Sequence, residues 1–116
     1  MIGYVTVGTN DLAKAADFYD ELLAGIGAKR FMEMETFIAW SNDPSAAGFS
    51  ITKPFDGNPA SVGNGVMIAL MVDSTDKVDA LYAKAIELEI KKLKDGKKTK
   101  WTAVFDNNEW REQLKK

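Results

Sequence analysis

The chain contains no cysteine and no histidine. Without cysteine there is no disulfide, no thiolate metal site and no cysteine nucleophile. Without histidine, the commonest metal ligand and general base are also missing. No apolar run approaches the roughly 20 residues needed to span a bilayer. The N-terminus shows no basic segment leading into an apolar stretch and a small-residue cleavage site. A cytoplasmic location, with no membrane partner, is therefore expected. No G-x-S-x-G elbow, P-loop or dinucleotide fingerprint occurs, so the chemistries they carry have no support. The strings "GTND" and "GNG" read as turns.

What remains is an ordinary soluble balance over 116 residues, 46% apolar and 28% charged. That length suits one domain, or two small modules sharing a core. Such a chain buries roughly two-thirds of the surface it exposes when unfolded. The net charge of -2 argues against nucleic acid as the main partner. Charge is unevenly placed, however. Residues 1–90 hold six basic and thirteen acidic side chains, whereas residues 91–116 hold nine basic and four acidic. The run "KKLKDGKKTK" (91–100) could be a phosphate or nucleic-acid patch. A solvated turn and strand edge is the better reading, since lysines there discourage edge-to-edge pairing. Only Trp101 and Phe105 lie near enough to stack bases.

Residues 2–8 alternate in a β-rich pattern, and Thr9, Asn10 and Asp11 supply turn and cap chemistry. Leu12, Ala15, Ala16, Tyr19, Leu22, Leu23 and Ile26 then recur at helical spacing, with Gly25 and Gly27 as the stop. Three strand candidates follow: "RFMEME" from Arg30, "TFIAWS" from Thr36 and "GFSITKP" from Gly48. The Gly- and Asn-rich stretch 57–65 reads as a linker. "VMIALMV" (66–72) predicts a strand apolar on both faces. Asp73 and Ser74 cap a helix whose stripe is Val78, Leu81, Tyr82, Ala85, Ile86 and Leu88. "EIKKLKD", "KTKWTAVFD" and "NEWREQL" follow it, the last two as a hairpin across Asp106, Asn107 and Asn108.

At an offset of 63 the halves correspond. Tyr4 falls on Met67, Val5 on Ile68, Val7 on Leu70, Asp11 on Ser74 and Tyr19 on Tyr82. The expected fold is α+β, a duplicated βαβββ unit with modules over 1–56 and 66–116. Curved mixed sheets would then pair around a trough, a natural ligand site. If Tyr4 and Met67 face that trough, Ile2, Thr6, Ala69 and Met71 join them by period-2 alternation. Trp40 and Trp101 could form its wall, with Lys53 near its rim. Each apolar residue here has core packing as the competing role. Glu33 and Glu35 alternate with Met32 and Met34 and are expected to face solvent.

The opening "IGYVTVGTNDLAKAADFYDELLAGIGAKR" resembles the first strand and helix of the vicinal oxygen chelate superfamily, which includes glyoxalases, bleomycin-resistance proteins and extradiol dioxygenases. "FIAWS", "KPFDGNPASVGNG" and "VMIALMVDSTDKVDALYAKA" are similar to its later stretches, and the likeness thins beyond Glu89. The resemblance implies a divalent metal held by a His or Gln, a Glu, a His and a Glu on the first, fourth, fifth and eighth strands. Those positions fall here on Tyr4, on Ser50, Ile51 or Thr52, on Met67, and on Arg111 or Glu112. At most one hard ligand survives, and a metal site needs three or more N or O donors. No metal or other cofactor is therefore expected.

The leading expectation is a metal-free protein that binds a small hydrophobic or aromatic molecule at Tyr4, Thr6, Trp40, Met67, Ala69, Met71 and Trp101. The resemblance also implies a homodimer. A second reading is a lyase- or isomerase-type enzyme, for instance lactoylglutathione lyase-like, with Tyr4 and Lys53 or Glu112 as acid and base. A third is a partner-binding module using the Lys-rich C-terminal segment.

Overall fold

The protein's structure is a computed structural model that describes residues 1–94, with side chains placed through Leu88. Strand β1 (Tyr4–Gly8) leads into helix α1 (Leu12–Ala24), and strands β2 (Lys29–Glu33), β3 (Phe37–Ser41) and β4 (Gly48–Thr52) follow. The four strands form one curved mixed sheet in the order β1-β4-β3-β2. Strand β4 pairs parallel with β1 and antiparallel with β3, which pairs antiparallel with β2. The first βαβββ unit is therefore present in the order and nearly the bounds its sequence predicts.

Helix α1 starts where its cap chemistry says it should. The Asp11 carboxylate accepts the Lys14 backbone N–H at 3.1 Å, satisfying one of the orphan donors of the first turn. Its end is marked by Gly25 and by Gly27 at φ +76°, a backbone region that suits glycine. Ala16, Phe18, Tyr19, Leu22 and Leu23 are buried on one face. Tyr19 packs its ring 4.5 Å from Phe49 and 5.8 Å from Trp40, centroid to centroid, and this aromatic group ties the helix to the sheet. Truncating a side chain as enclosed as Leu22 or Leu23 costs about 2–5 kcal/mol in such cores.

The chain divides by internal packing into a unit spanning Met1–Ala69 and a second beginning at Leu70. In the first, the linker stretch is tied back to the β1–α1 turn. Asn10 donates to the Ala60 carbonyl at 3.0 Å and accepts the Ala60 N–H at 2.6 Å. In the second, helix α2 spans Thr75–Lys94. Its Ser74 hydroxyl accepts the Lys77 N–H at 3.2 Å, the same contact that Asp11 makes with Lys14, displaced by 63 residues. Ala85 and Leu88 are buried.

Two expectations change. The helix does not stop near Leu88 but continues to Lys94, because Glu89–Lys94 are good helix formers and the next glycine is Gly96. Residues 66–72 form no strand among the described residues. A strand exists only with a hydrogen-bonded neighbour, and the expected partner segments "KTKWTAVFD" and "NEWREQL" lie outside the described residues. No helix among the described residues is long and apolar enough to cross a membrane.

Candidate functional site

The two faces of the sheet have different chemistry. Phe49 and Trp40 touch Tyr19 of α1, so Val5, Val7, Ile38 and Ile51, which share their parity, also lie on the helix side. The face turned away from α1 carries Tyr4, Thr6, Met32, Phe37, Ala39, Gly48, Ser50 and Thr52. Its centre is built from small residues. One row runs Thr6–Ser50–Ala39–Met32 across the four strands. Ser50 and Ala39 are buried. Beside them, Tyr4 pairs with Gly48.

Larger side chains stand around this buried centre. The bulge between Arg30 and Met32 brings Phe31 over Gly48, whose missing Cβ would lie 3.1 Å from the ring. Tyr4 and Phe37 meet edge to face at 6.1 Å. Tyr4 is 60% exposed, Phe31 55% and Met32 42%. The polar element is a hydroxyl pair: Thr6 Oγ1 lies 2.6 Å from Ser50 Oγ, and Ser50 donates to the Val5 carbonyl at 2.8 Å. Exposed apolar side chains beside one hydroxyl pair suit an apolar small molecule bearing a single polar group.

The structure brings some of the expected site residues together and parts others. Tyr4 and Thr6 share this face. Trp40 does not belong to it. It is 1% exposed on the helix side, and its indole N–H donates to the Asp20 carboxylate at 2.8 Å. Trp40 is thus a core residue rather than a trough wall, because β3 parity points it at α1. Asp20 also receives two hydrogen bonds from Arg30, whose third nitrogen reaches Glu33 at 2.6 Å. The Arg30 bonds, with help from Trp40, hold the Asp20 carboxyl below the usual carboxylate range against the opposing effect of burial.

Lys53 is also placed elsewhere. It lines an open groove of about 560 Å³ with Asn10, Asp17, Arg30, Glu35 and Ile38, on the α1 side of the sheet. Tyr4 pairs with Gly48 and so lies on the opposite face of the sheet from that groove. Tyr4 and Lys53 therefore do not form an acid–base pair across one face. Glu33 is exposed and paired with Arg30, as a solvent-facing residue can be. Met67, Ala69 and Met71 are exposed, alternating with the half-buried Ile68, Leu70 and Val72. Trp101, Arg111 and Glu112 lie outside the described residues.

The metal implied by the resemblance would sit on this same face, and the residues present do not fit it. Opposite Tyr4 and Thr6, the β4 positions facing the same way are Gly48, Ser50 and Thr52, a hydrogen and two hydroxyls. Ile51, the third aligned position, points to the helix side. Among the described residues, no three Asp or Glu side chains gather closely enough to hold a metal ion. Sequence reading missed Phe31, Phe37 and Gly48 as site residues. The bulge that positions Phe31 leaves no mark in the alternation, but the glycine at the start of "GFSITKP" was a usable sign of close approach.

The family model described as Glyoxalase/Bleomycin resistance protein/Dioxygenase superfamily matches residues 1–111. The chain belongs to this superfamily. It is similar to a glyoxalase/bleomycin resistance protein from Albidiferax ferrireducens T118, at 34% identity and a TM-score of 0.69, over 77% of this chain and 72% of that one. It also resembles a Bacillus halodurans structure described as a candidate glyoxalase, at 18% identity and a TM-score of 0.56, over 75% and 68% of the two chains. That second likeness concerns the fold alone. No curated protein matches the chain.

Proposed function

We propose that this superfamily member binds a small hydrophobic or aromatic molecule on the sheet face turned away from α1, without a metal. The observation that supports this most is the composition of that face. Where the family's metal ligands would stand, it presents Tyr4, Gly48, Thr6 and Ser50, ringed by Phe31, Met32 and Phe37. The exposed Tyr4 and Phe31 rings, with Met32, provide an apolar contact area. The adaptable Met32 thioether can accommodate ligands of different outline. Removing apolar surface from water supplies the driving force, about 25 cal/mol per Å².

An isomerase needs a base and an acid that converge on one substrate atom. Tyr4 and Lys53 stand on opposite faces of the sheet and Glu112 lies outside the described residues, so the apolar face supports binding without turnover as the first reading. The test is a paired experiment on the full chain. A panel of small bicyclic aromatics is titrated calorimetrically after exhaustive dialysis against EDTA. Hemithioacetal isomerisation is then assayed with Ni, Zn, Mn or Fe added. Saturable one-to-one binding in EDTA with no metal-dependent turnover is expected. Metal-dependent turnover would contradict the proposal.

A further inference from the structure

Ser50 has one hydroxyl proton and two close oxygen neighbours, the Val5 carbonyl at 2.8 Å and Thr6 Oγ1 at 2.6 Å. A carbonyl oxygen can only accept. If Ser50 gave its proton to Thr6, its oxygen and that of Val5 would face each other, lone pair to lone pair. Only one arrangement satisfies both contacts: Ser50 donates to Val5, and Thr6 donates to Ser50. Ser50 is buried with no exposed surface, so water cannot relieve the alternative.

The consequence lies at the surface. Thr6 is exposed, its proton is committed inward, and what it offers outward is lone pairs only. We infer that this hydroxyl relay makes the face selective for ligands whose inward-facing polar atom is a hydrogen-bond donor, such as an indole-type N–H, an aromatic amine, an amide N–H or a phenol. Acceptor-only groups, including carboxylates, meet Thr6 lone pair against lone pair and are disfavoured. The Tyr4 phenol can donate or accept and so does not impose a preference of its own. This inference rests on the proposed small-molecule binding at the same face and adds the class of ligand.

Two bicyclic probes of similar size separate the possibilities: indole, which only donates, and 1-indanone, which only accepts. Their affinities for the full chain are measured by NMR titration, and the indole-to-indanone preference is compared among the wild type, Thr6→Val and Ser50→Ala. Thr6→Val removes the acceptor. Ser50→Ala frees the Thr6 proton to turn outward, where it can donate to the ketone. A net hydrogen bond is worth about three- to tenfold in affinity, so each substitution is expected to shrink the preference by that factor. Thr6→Ser, which keeps the hydroxyl, should retain it. An identical preference in all four proteins, with both probes bound, would overturn the relay. Failure of both probes to bind the wild type would overturn the binding proposal beneath it, a distinguishable result.

Discussion

At the scale of single residues, Asp20 does more than its place on a helix suggests. Its carboxylate accepts from the buried Trp40 indole and twice from Arg30. Asp20→Ala leaves the Trp40 N–H without its acceptor and is expected to destabilise the fold by about 1–3 kcal/mol, measured by urea unfolding. The pH dependence has a definite sign. The folded-state pKa of Asp20 is lowered, so its contribution is present above the unfolded value near ~3.9 and is lost as pH falls through the lower folded value. Asp43, Asp56 and Asp73 are likewise held below the usual carboxylate range, by bonds from Ser45, Asn58 and Lys77. The comparison is therefore with Asp20→Asn, which should lose less stability than the wild type between pH 5 and pH 2. The upper end of that range lies roughly one unit above the unfolded carboxylate value, and the comparison runs downward in pH from there. Equal losses would contradict the assignment. None of this network was legible in the sequence, because Asp20, Arg30 and Trp40 meet only after three elements have packed.

At the scale of elements, the sequence was most informative where chemistry is local. Cap chemistry was legible at Thr9, Asn10 and Asp11 and at Asp73 and Ser74, because a short side-chain oxygen before an apolar stripe has few other uses, and the structure selects Asp11 and Ser74 among them. Strands β2, β3 and β4 were legible from their composition and from the turns between them. The end of α2 was misplaced because helix formers run on past the apolar stripe. The face assignment of Trp40 was misplaced because strand parity depends on a register that only pairing fixes. The two caps give a paired prediction. Asp11→Ala and Ser74→Ala should each cost about 1 kcal/mol of helix stability, read as reduced amide protection in the first turn of α1 and of α2 respectively. A loss of protection confined to the other helix would contradict the cap assignments.

At the scale of the whole molecule, superfamily membership and chemistry point to different conclusions. The family match places this chain in the glyoxalase/bleomycin resistance/dioxygenase superfamily, and the resemblance implied a metal, yet the face where it would sit presents hydroxyls, a glycine and aromatic rings. Fold does not imply function, and function is argued from the site. The absence of histidine was the compositional ground for expecting no metal, whereas the aromatic rim required the β2 bulge and the sheet order. We propose that this face binds an aromatic small molecule without a metal. The most direct test is an NMR titration of the full chain with a small bicyclic aromatic in excess EDTA. Saturable shifts centred on Tyr4, Thr6, Phe31, Met32 and Ser50 are expected. Shifts at these residues that arise only after a divalent metal is restored would contradict it.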